Sequence, residues 1–210
     1  IEAGLVEASG ITYRFRHELI RSALASRVSQ PRRTRIHAAA QRHLLERSDG
    51  AAHQRAVHHA LEAVDAIGFA AVAQVAQAAA EHARQTFVPT DEVEFRQIAV
   101  DALVRHEAPT ADLVRARTEL GEAMVRAGKG ERDVAPLRAQ VIEQAAGLDD
   151  PRLMAHASLR IGMDYSVGPA PERIPELAAA HEAMQAYAPA SDLASEVQAG
   201  YAAQLWAQGN

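Results

Sequence analysis

The segment TADLVRARTELGEAMVRAG, residues 110–128, decides the fold predicted for this chain. Its apolar residues recur every three or four positions, which is the spacing of an amphipathic helix. Gly121 and Ala123 are small enough to let a neighbouring helix approach closely. Gly128 follows the last apolar residues, at a position where glycine commonly ends a helix. The segment therefore predicts one helix that packs tightly against another.

The same organisation returns twice at a fixed distance along the chain. Leu113, Leu153 and Leu193 are 40 residues apart, each follows a residue suited to a helix start, and a glycine lies further along each helix. Second helices are predicted over residues 133–146 and 172–187. Equal spacing of helix starts and small residues is the signature of stacked helix pairs.

The pattern Leu120-Gly121-Glu122-Ala123, followed by Ala127-Gly128, resembles a tetratricopeptide (TPR) repeat, although 40 residues exceed the roughly 34 of the standard repeat. We therefore predict an all-α fold, a TPR-like helical-hairpin superhelix preceded by a small β-hairpin and by helices of a winged-helix domain. The alternative is an irregular helical domain in which the spacing arises by chance.

Composition favours closely packed helices and excludes several kinds of chemistry. Apolar residues make up 48% of the 210 residues but aromatic residues only 4%, so the core must consist mainly of Ala, Leu, Val and Ile. A net charge of −5 gives no general attraction to nucleic acid or to acidic membranes. The chain has no cysteine, which excludes disulfides, thiolate catalysis and cysteine-based zinc sites.

The apolar runs are too short to predict a membrane span. We expect a cytoplasmic protein without a membrane partner. The chain starts at Ile1 and stops after a helical pattern at Asn210, so we expect it to be a segment of a longer protein.

The first 48 residues have a different pattern from the rest. Residues 3–16 predict a β-hairpin, because apolar and polar residues alternate up to Phe15. Helical periodicity begins at His17, and a second helix follows with Pro31 in its first turn. A hairpin with two helices has the outline of the C-terminal part of a winged-helix domain. We therefore place a boundary between residues 1–48 and a TPR-like domain over residues 51–210 that is truncated at its C-terminal end.

One segment resembles part of the signal-transducing ATPases with numerous domains, which include the large ATP-binding regulators of the LuxR family and the antibiotic-regulatory proteins. The resemblance is carried by Tyr13-Arg14-Phe15-Arg16-His17-Glu18-Leu19-Ile20-Arg21, then Arg32-Arg33 and Arg35-Ile36-His37. In that family an ATPase module ends in a winged helix, and a TPR-like superhelix follows. The resemblance implies a regulatory segment of a multidomain bacterial transcription regulator, which couples an upstream ATPase domain to signal sensing.

The resemblance also implies a role in nucleotide sensing for Arg16 and His17, because a winged-helix histidine of the family contacts the β-phosphate of ADP. From the residues alone, a helix cap fits His17 better than phosphate contact does, and a salt bridge fits Arg16 better. The chain lacks the glycine-rich phosphate loop, so ATP or ADP would bind elsewhere in the full-length protein and this chain needs no cofactor. The basic run from Arg32 to Arg47 lacks interleaved aromatic residues, so we expect DNA contact only through a domain outside the chain.

The first helix of each pair lines the concave groove of a TPR-like array, so we expect a protein partner or a small effector to bind there. The candidate polar residues are Arg115, Glu119, Glu122, Arg126, His156, Arg160, Asp164, Gln198 and Gln204. Apolar contacts would come from Met124, Met154, Met163, Tyr165 and Tyr201, for which packing between repeats is the alternative.

Neither a metal site nor an active site is predicted. His53, His58 and His59 are separated by five and one residues, which does not place two ligands on one face of a helix. No acid–base pair or nucleophile motif is present, so enzymatic activity would belong to the ATPase of the full-length protein. Two alternatives remain open: a stand-alone helical scaffold for protein–protein interaction, and the regulatory region of a class III nucleotide cyclase.

Overall fold

The computed structural model describes residues 6–9, 12–15, 22–23, 26–47, 49–148, 150–161 and 173–209. Within these residues, nine α-helices follow one antiparallel pair of short strands, which confirms the predicted all-α class. The strands are β1 (Val6–Ser9) and β2 (Thr12–Phe15), with Val6 opposite Phe15. The predicted helix that starts at His17 lies largely outside the described residues.

The helices follow one another with short connections. Their bounds are α1 (Gln30–Leu45), α2 (Gly50–Glu62), α3 (Val64–Gln85), α4 (Pro89–Arg105), α5 (Thr110–Arg126), α6 (Glu131–Ala146), α7 (Pro151–Arg160), α8 (Ile174–Tyr187) and α9 (Asp192–Ala207). None of these helices combines the length and the apolar character that crossing a membrane requires.

Local chemistry fixes two of the three repeated helix starts and the end of α5. The side chain of Asp150 accepts a hydrogen bond from the backbone of Arg152 at the start of α7, and that of Ser191 accepts one from Ala194 in α9. Gly128, with φ of 75°, ends α5 in the left-handed conformation that favours glycine. Thr110 differs from these residues, because it is the first residue of α5 and makes no capping bond.

Helix α3 is interrupted near its start, which the sequence pattern did not predict. Ala63 occupies the N-terminal capping position, and Asp65 lies in the first turn. Gly68 has φ of 77° and ψ of 163°, which interrupts the helix one turn after its start. The longer part of α3 therefore runs from residue 69 to Gln85.

Each helix packs against the next along the chain, and some also contact the second helix along. Contacts of this second kind join α1 with α3, α5 with α7, and α7 with α9. Helices α5, α7 and α9 are consequently neighbours on one side of the stack. Helix α1 packs against both α2 and α3, across the boundary predicted between residues 48 and 51.

The core consists of small aliphatic side chains, as the composition predicts. Between α2, α3 and α4 it is rich in alanine, and Ala56, Ala60 and Ala80 are fully buried. Between α5, α6 and α7 valine is the most frequent buried residue. The backbone of Gly121 lies so close to Ile161 that a β-carbon on residue 121 would stand 2.7 Å from the Ile161 Cγ1 atom. Glycine at this position sets the separation between α5 and α7.

Candidate functional site

A groove of about 390 Å³ lies where α5, α7 and α9 meet. Its lining residues come from the C-terminal halves of α5 and α7 and from the middle of α9. They are Glu122, Val125, Arg126, Leu159, Arg160, Glu196 and Ala199. We call this surface the α5–α7–α9 groove. Buried Leu159 forms its apolar floor, while Arg126, Arg160 and Glu196 are exposed at its rim.

Three predicted binding residues line this groove, namely Glu122, Arg126 and Arg160. The remaining candidates lie elsewhere. Arg115 pairs with Asp112 on the exposed face of α5, Glu119 bonds with Arg96 of α4, and His156 and Gln198 are exposed outside the groove lining. Gln204 is half-buried near the end of α9, and Asp164 lies outside the described residues.

Arg126 is tied to the fold by a buried partner. Its guanidinium donates hydrogen bonds of 2.6 and 3.2 Å to the two carboxylate oxygens of Glu92, a residue of α4 that is only 1% exposed. A third bond of 3.3 Å goes to Glu122. Burial disfavours the charge of Arg126, but the bonds and charges of Glu92 and Glu122 outweigh this and raise its pKa. Arg126 therefore joins α4 to α5 and is only partly available to a ligand.

Arg160 and Glu196 differ from Arg126 because neither has an ion-pair partner among the described residues. They stand on different helices, α7 and α9, and face the same groove. A groove with one unpaired cation and one unpaired anion can orient a bound segment by charge. Glu196 was not among the predicted residues. The sequence signal that could have identified it is its position on a first helix, five residues after the cap Ser191.

A second cavity of about 280 Å³ lies beside the turn between α3 and α4. We call it the Phe87 cavity; it is lined by Ala83, Arg84, Phe87, Val88, Pro89, Glu92 and Arg126. Since Arg126 also lines the α5–α7–α9 groove, the two depressions adjoin at this side chain. Phe87 is 90% exposed and has φ of 57°, an unusual conformation for a bulky residue. No residue of this turn was among the predicted binding residues.

Glu119 is bonded to a residue of another helix and does not face the groove. Its carboxylate accepts a hydrogen bond from Arg96, which is 9% exposed and also lies 3.9 Å from Glu81 of α3. The chain of charges joins α3, α4 and α5. Hydrogen bonds from Arg84 lower the pKa of Glu81 to about 2, with further help from Gln85 and Arg96 and against partial burial.

This shift predicts a pH dependence of stability that Glu81 controls. The folded pKa of Glu81 is below its ordinary value of 4.5, so the contribution is fully present above pH 4.5 and is lost as the pH falls through about 2. In urea titrations, the difference in unfolding free energy between wild type and Glu81→Gln should be constant above pH 4.5 and shrink below it. Glu94→Gln, at an exposed position of α4, is the matched control. A difference that stays constant down to pH 2 would contradict the assignment.

A group of three histidines lies at the contact between α1 and α2. It consists of His37 from α1 with His58 and His59 from α2, and one ring nitrogen from each lies within 4.8 Å of the others. The Nδ1 atoms of His37 and His59 are 3.0 Å apart. Burial, followed by the charges of His37, His58 and Arg55, lowers the pKa of His59. Spacing along α2 alone does not reveal this group, because His37 comes from α1.

The predicted apolar contacts behave as packing residues. Met124 and Met154 are half-buried against the core between α5, α6 and α7. Tyr201 packs against the core between α7, α8 and α9. Met163 and Tyr165 lie outside the described residues.

The nucleotide-sensing prediction is not covered by the described residues. Arg16 and His17 both fall in the part of the chain that the structure leaves undescribed, so their role stays a prediction. In comparisons with known proteins, the chain matches no family model and no curated protein.

Proposed function

We propose that this chain is the partner-binding segment of a larger regulator, and that it binds an extended protein segment in the α5–α7–α9 groove. The observation that carries the proposal is a pair of opposite charges, Arg160 and Glu196, that line the same groove as buried Leu159 and have no ion-pair partner among the described residues. Charged groups at the rim of an apolar groove fix the register and direction of a bound chain.

A TPR-like architecture is part of this proposal. Helix starts at Thr110, Pro151 and Asp192 recur at nearly equal intervals, and α5, α7 and α9 are neighbours on one side. In TPR-like arrays the first helices of successive pairs form the concave, binding side. The close approach of Gly121 to Ile161 supports the tight stacking that such arrays need.

The shape of the groove favours an extended segment over a compact effector. Its rim residues are exposed, so a ligand would lie along the surface rather than be enclosed. The Phe87 cavity continues from Arg126 and offers an exposed aromatic side chain as an apolar contact. A peptide that crosses both depressions would place an acidic side chain at Arg160 and a basic one at Glu196. A small effector that binds without these two charges is the competing outcome.

The link to a nucleotide-dependent regulator rests on the family resemblance of residues 13–21 and 32–37. Helix α1 carries the second part of that resemblance and packs against α2 and α3. We propose that binding at the groove shifts an equilibrium of the whole regulator, in which an upstream ATPase holds ATP or ADP. In this proposal the protein is cytoplasmic and contacts DNA only through another domain. A scaffold without the nucleotide link would use the same groove.

The groove can be tested with a random peptide library displayed on phage and selected against the chain. Affinities of the selected peptides are then measured by fluorescence anisotropy for wild type, Arg160→Glu and Glu196→Arg. Each reversal should weaken binding at least about tenfold, because it replaces an attraction with a repulsion worth about 1.4 kcal/mol or more. Phe87→Ala should lower the affinity of those peptides that also reach the Phe87 cavity.

Arg132→Glu is the matched control, since Arg132 is exposed on α6 and lies outside both depressions. It makes the same change of charge as Arg160→Glu and should leave affinity within about twofold. Equal affinities for wild type, both groove reversals and the control would contradict the proposed site.

A further inference from the structure

We propose that His37, His58 and His59 form a binding site for a divalent transition-metal ion, with Zn²⁺ as the ion that best fits the ligand set. The site is separate from the α5–α7–α9 groove and does not depend on it. It joins helix α1 to helix α2, across the boundary that the sequence pattern predicts between residues 48 and 51.

The distances among the three imidazoles suit one shared ion. Zinc binds histidine nitrogen at about 2.0–2.1 Å, so two nitrogens on a tetrahedral zinc lie about 3.3 Å apart. The Nδ1 atoms of His37 and His59 are 3.0 Å apart, and the ligand atoms of all three residues lie within 4.8 Å. Small rotations of the His58 ring, which is exposed, would complete the triangle.

The burial pattern supports a site that is both held in place and accessible. His37 and His59 are half-buried between the helices, while His58 is exposed and leaves a path for the ion. Three protein nitrogens leave a fourth position for water or for a side chain of another protein. The rings of His37 and His59 already contact each other edge-on, with centroids 4.9 Å apart.

The chemistry of the ligands selects the class of ion. Imidazole nitrogen binds zinc, nickel and copper ions, whereas magnesium and calcium prefer oxygen ligands. The surrounding charges are mixed: Glu62 attracts a cation toward His59, while Arg55 repels it.

A metal ion at this site would strengthen the contact between α1 and α2. The ligands come from two helices that are not linked by a disulfide, and an ion that binds only the folded chain raises its stability. The packing of the segment that bears the family resemblance would then depend on metal.

Isothermal titration of the 210-residue chain with Zn²⁺, and with Mg²⁺ as a comparison, tests the proposal. We expect one Zn²⁺ per chain and no saturable Mg²⁺ binding. His58→Ala should lower the Zn²⁺ affinity about 100-fold and should abolish the zinc-induced rise in melting temperature. Since His58 is exposed, this variant should keep the metal-free circular dichroism of wild type. His37→Gln should weaken zinc similarly, because the ligands come from both helices.

His53→Ala is the matched control on the same helix. The His53 ring stacks on His82 at 4.4 Å and lies outside the three-histidine group, so zinc affinity should stay within about twofold. X-ray absorption of the zinc-loaded chain should show about three imidazole nitrogens at 2.0–2.1 Å. The proposal is overturned if zinc does not bind saturably, if His58→Ala and His53→Ala bind it equally well, or if only His53→Ala loses it.

Discussion

Replacing Arg126 with alanine should destabilise the fold by about 3 kcal/mol, because it leaves the buried carboxylate of Glu92 without a partner. Glu92 is 1% exposed and its two oxygens accept bonds of 2.6 and 3.2 Å from Arg126. The free energy of unfolding, measured by urea titration and circular dichroism, checks the prediction. Since the surface exposed on unfolding is unchanged, the midpoint should fall while the dependence on urea stays constant.

Two further variants separate the buried pair from a general effect of charge. Arg115→Ala removes an arginine of the same helix whose pair with Asp112 is exposed, so it should change stability by no more than about 0.5 kcal/mol. The double variant Glu92→Met and Arg126→Met should recover most of the loss, because a buried ion pair can be replaced by apolar side chains of similar volume. A loss in Arg126→Ala no larger than in Arg115→Ala would show that Glu92 does not need its partner.

This prediction also decides how the groove is to be mutated. A loss of binding in Arg126→Ala would mix lost contacts with a weakened connection between α4 and α5. Arg160 and Glu196 have no ion-pair partners among the described residues. Replacing either of them therefore tests binding in the groove without weakening the contact between α4 and α5.

Replacing Gly121 with alanine should destabilise the chain by about 1–2 kcal/mol, although alanine is the better helix former. The change gains about 1 kcal/mol in helix propensity. Against this, the new β-carbon would stand 2.7 Å and 2.8 Å from the two γ-carbons of Ile161, a fully buried residue. Overpacking of this kind typically costs 1–3 kcal/mol, and more when the neighbour is branched and cannot rotate away.

The sign of the Gly121 effect should reverse when Ile161 is shortened. Ile161→Ala alone should lose about 2–5 kcal/mol because it opens a cavity. On that background, Gly121→Ala meets no clash and should stabilise the chain by about 1 kcal/mol. Gly147→Ala, where a β-carbon would make only an ordinary contact of 3.5 Å, is the control and should be nearly neutral. An equal effect of Gly121→Ala on both backgrounds would mean that α5 and α7 do not meet at this glycine.

The elements that the sequence predicted best are those fixed by local chemistry. Asp150 and Ser191 cap α7 and α9 through their own side chains, and Gly128 ends α5 in a conformation that other residues rarely adopt. Such signals act within a few residues, so a single sequence reveals them. The break at Gly68 was missed because an alanine-rich segment with one glycine has the same sequence pattern in a continuous helix and in an interrupted one.

The candidate site was less predictable because its residues meet across helices. Glu122, Arg126 and Arg160 were expected in the groove from their place on first helices, but Glu119 faces Arg96 instead. Helical phase shifts by 100° for each residue, so small errors in phase turn a groove residue into a packing residue. The three-histidine group was missed because His37 comes from a different helix than His58 and His59.

The most direct test of the proposed function is amide chemical-shift mapping of the isotope-labelled chain with a peptide selected from the library. The account predicts that the largest shifts lie at Leu159 and Arg160 in α7 and at Glu196 and Ala199 in α9. Peptides that also reach the Phe87 cavity should add shifts near Phe87. Shifts concentrated instead around Leu61 and Phe69, which line a different cavity between α2, α3 and α4, would contradict the account.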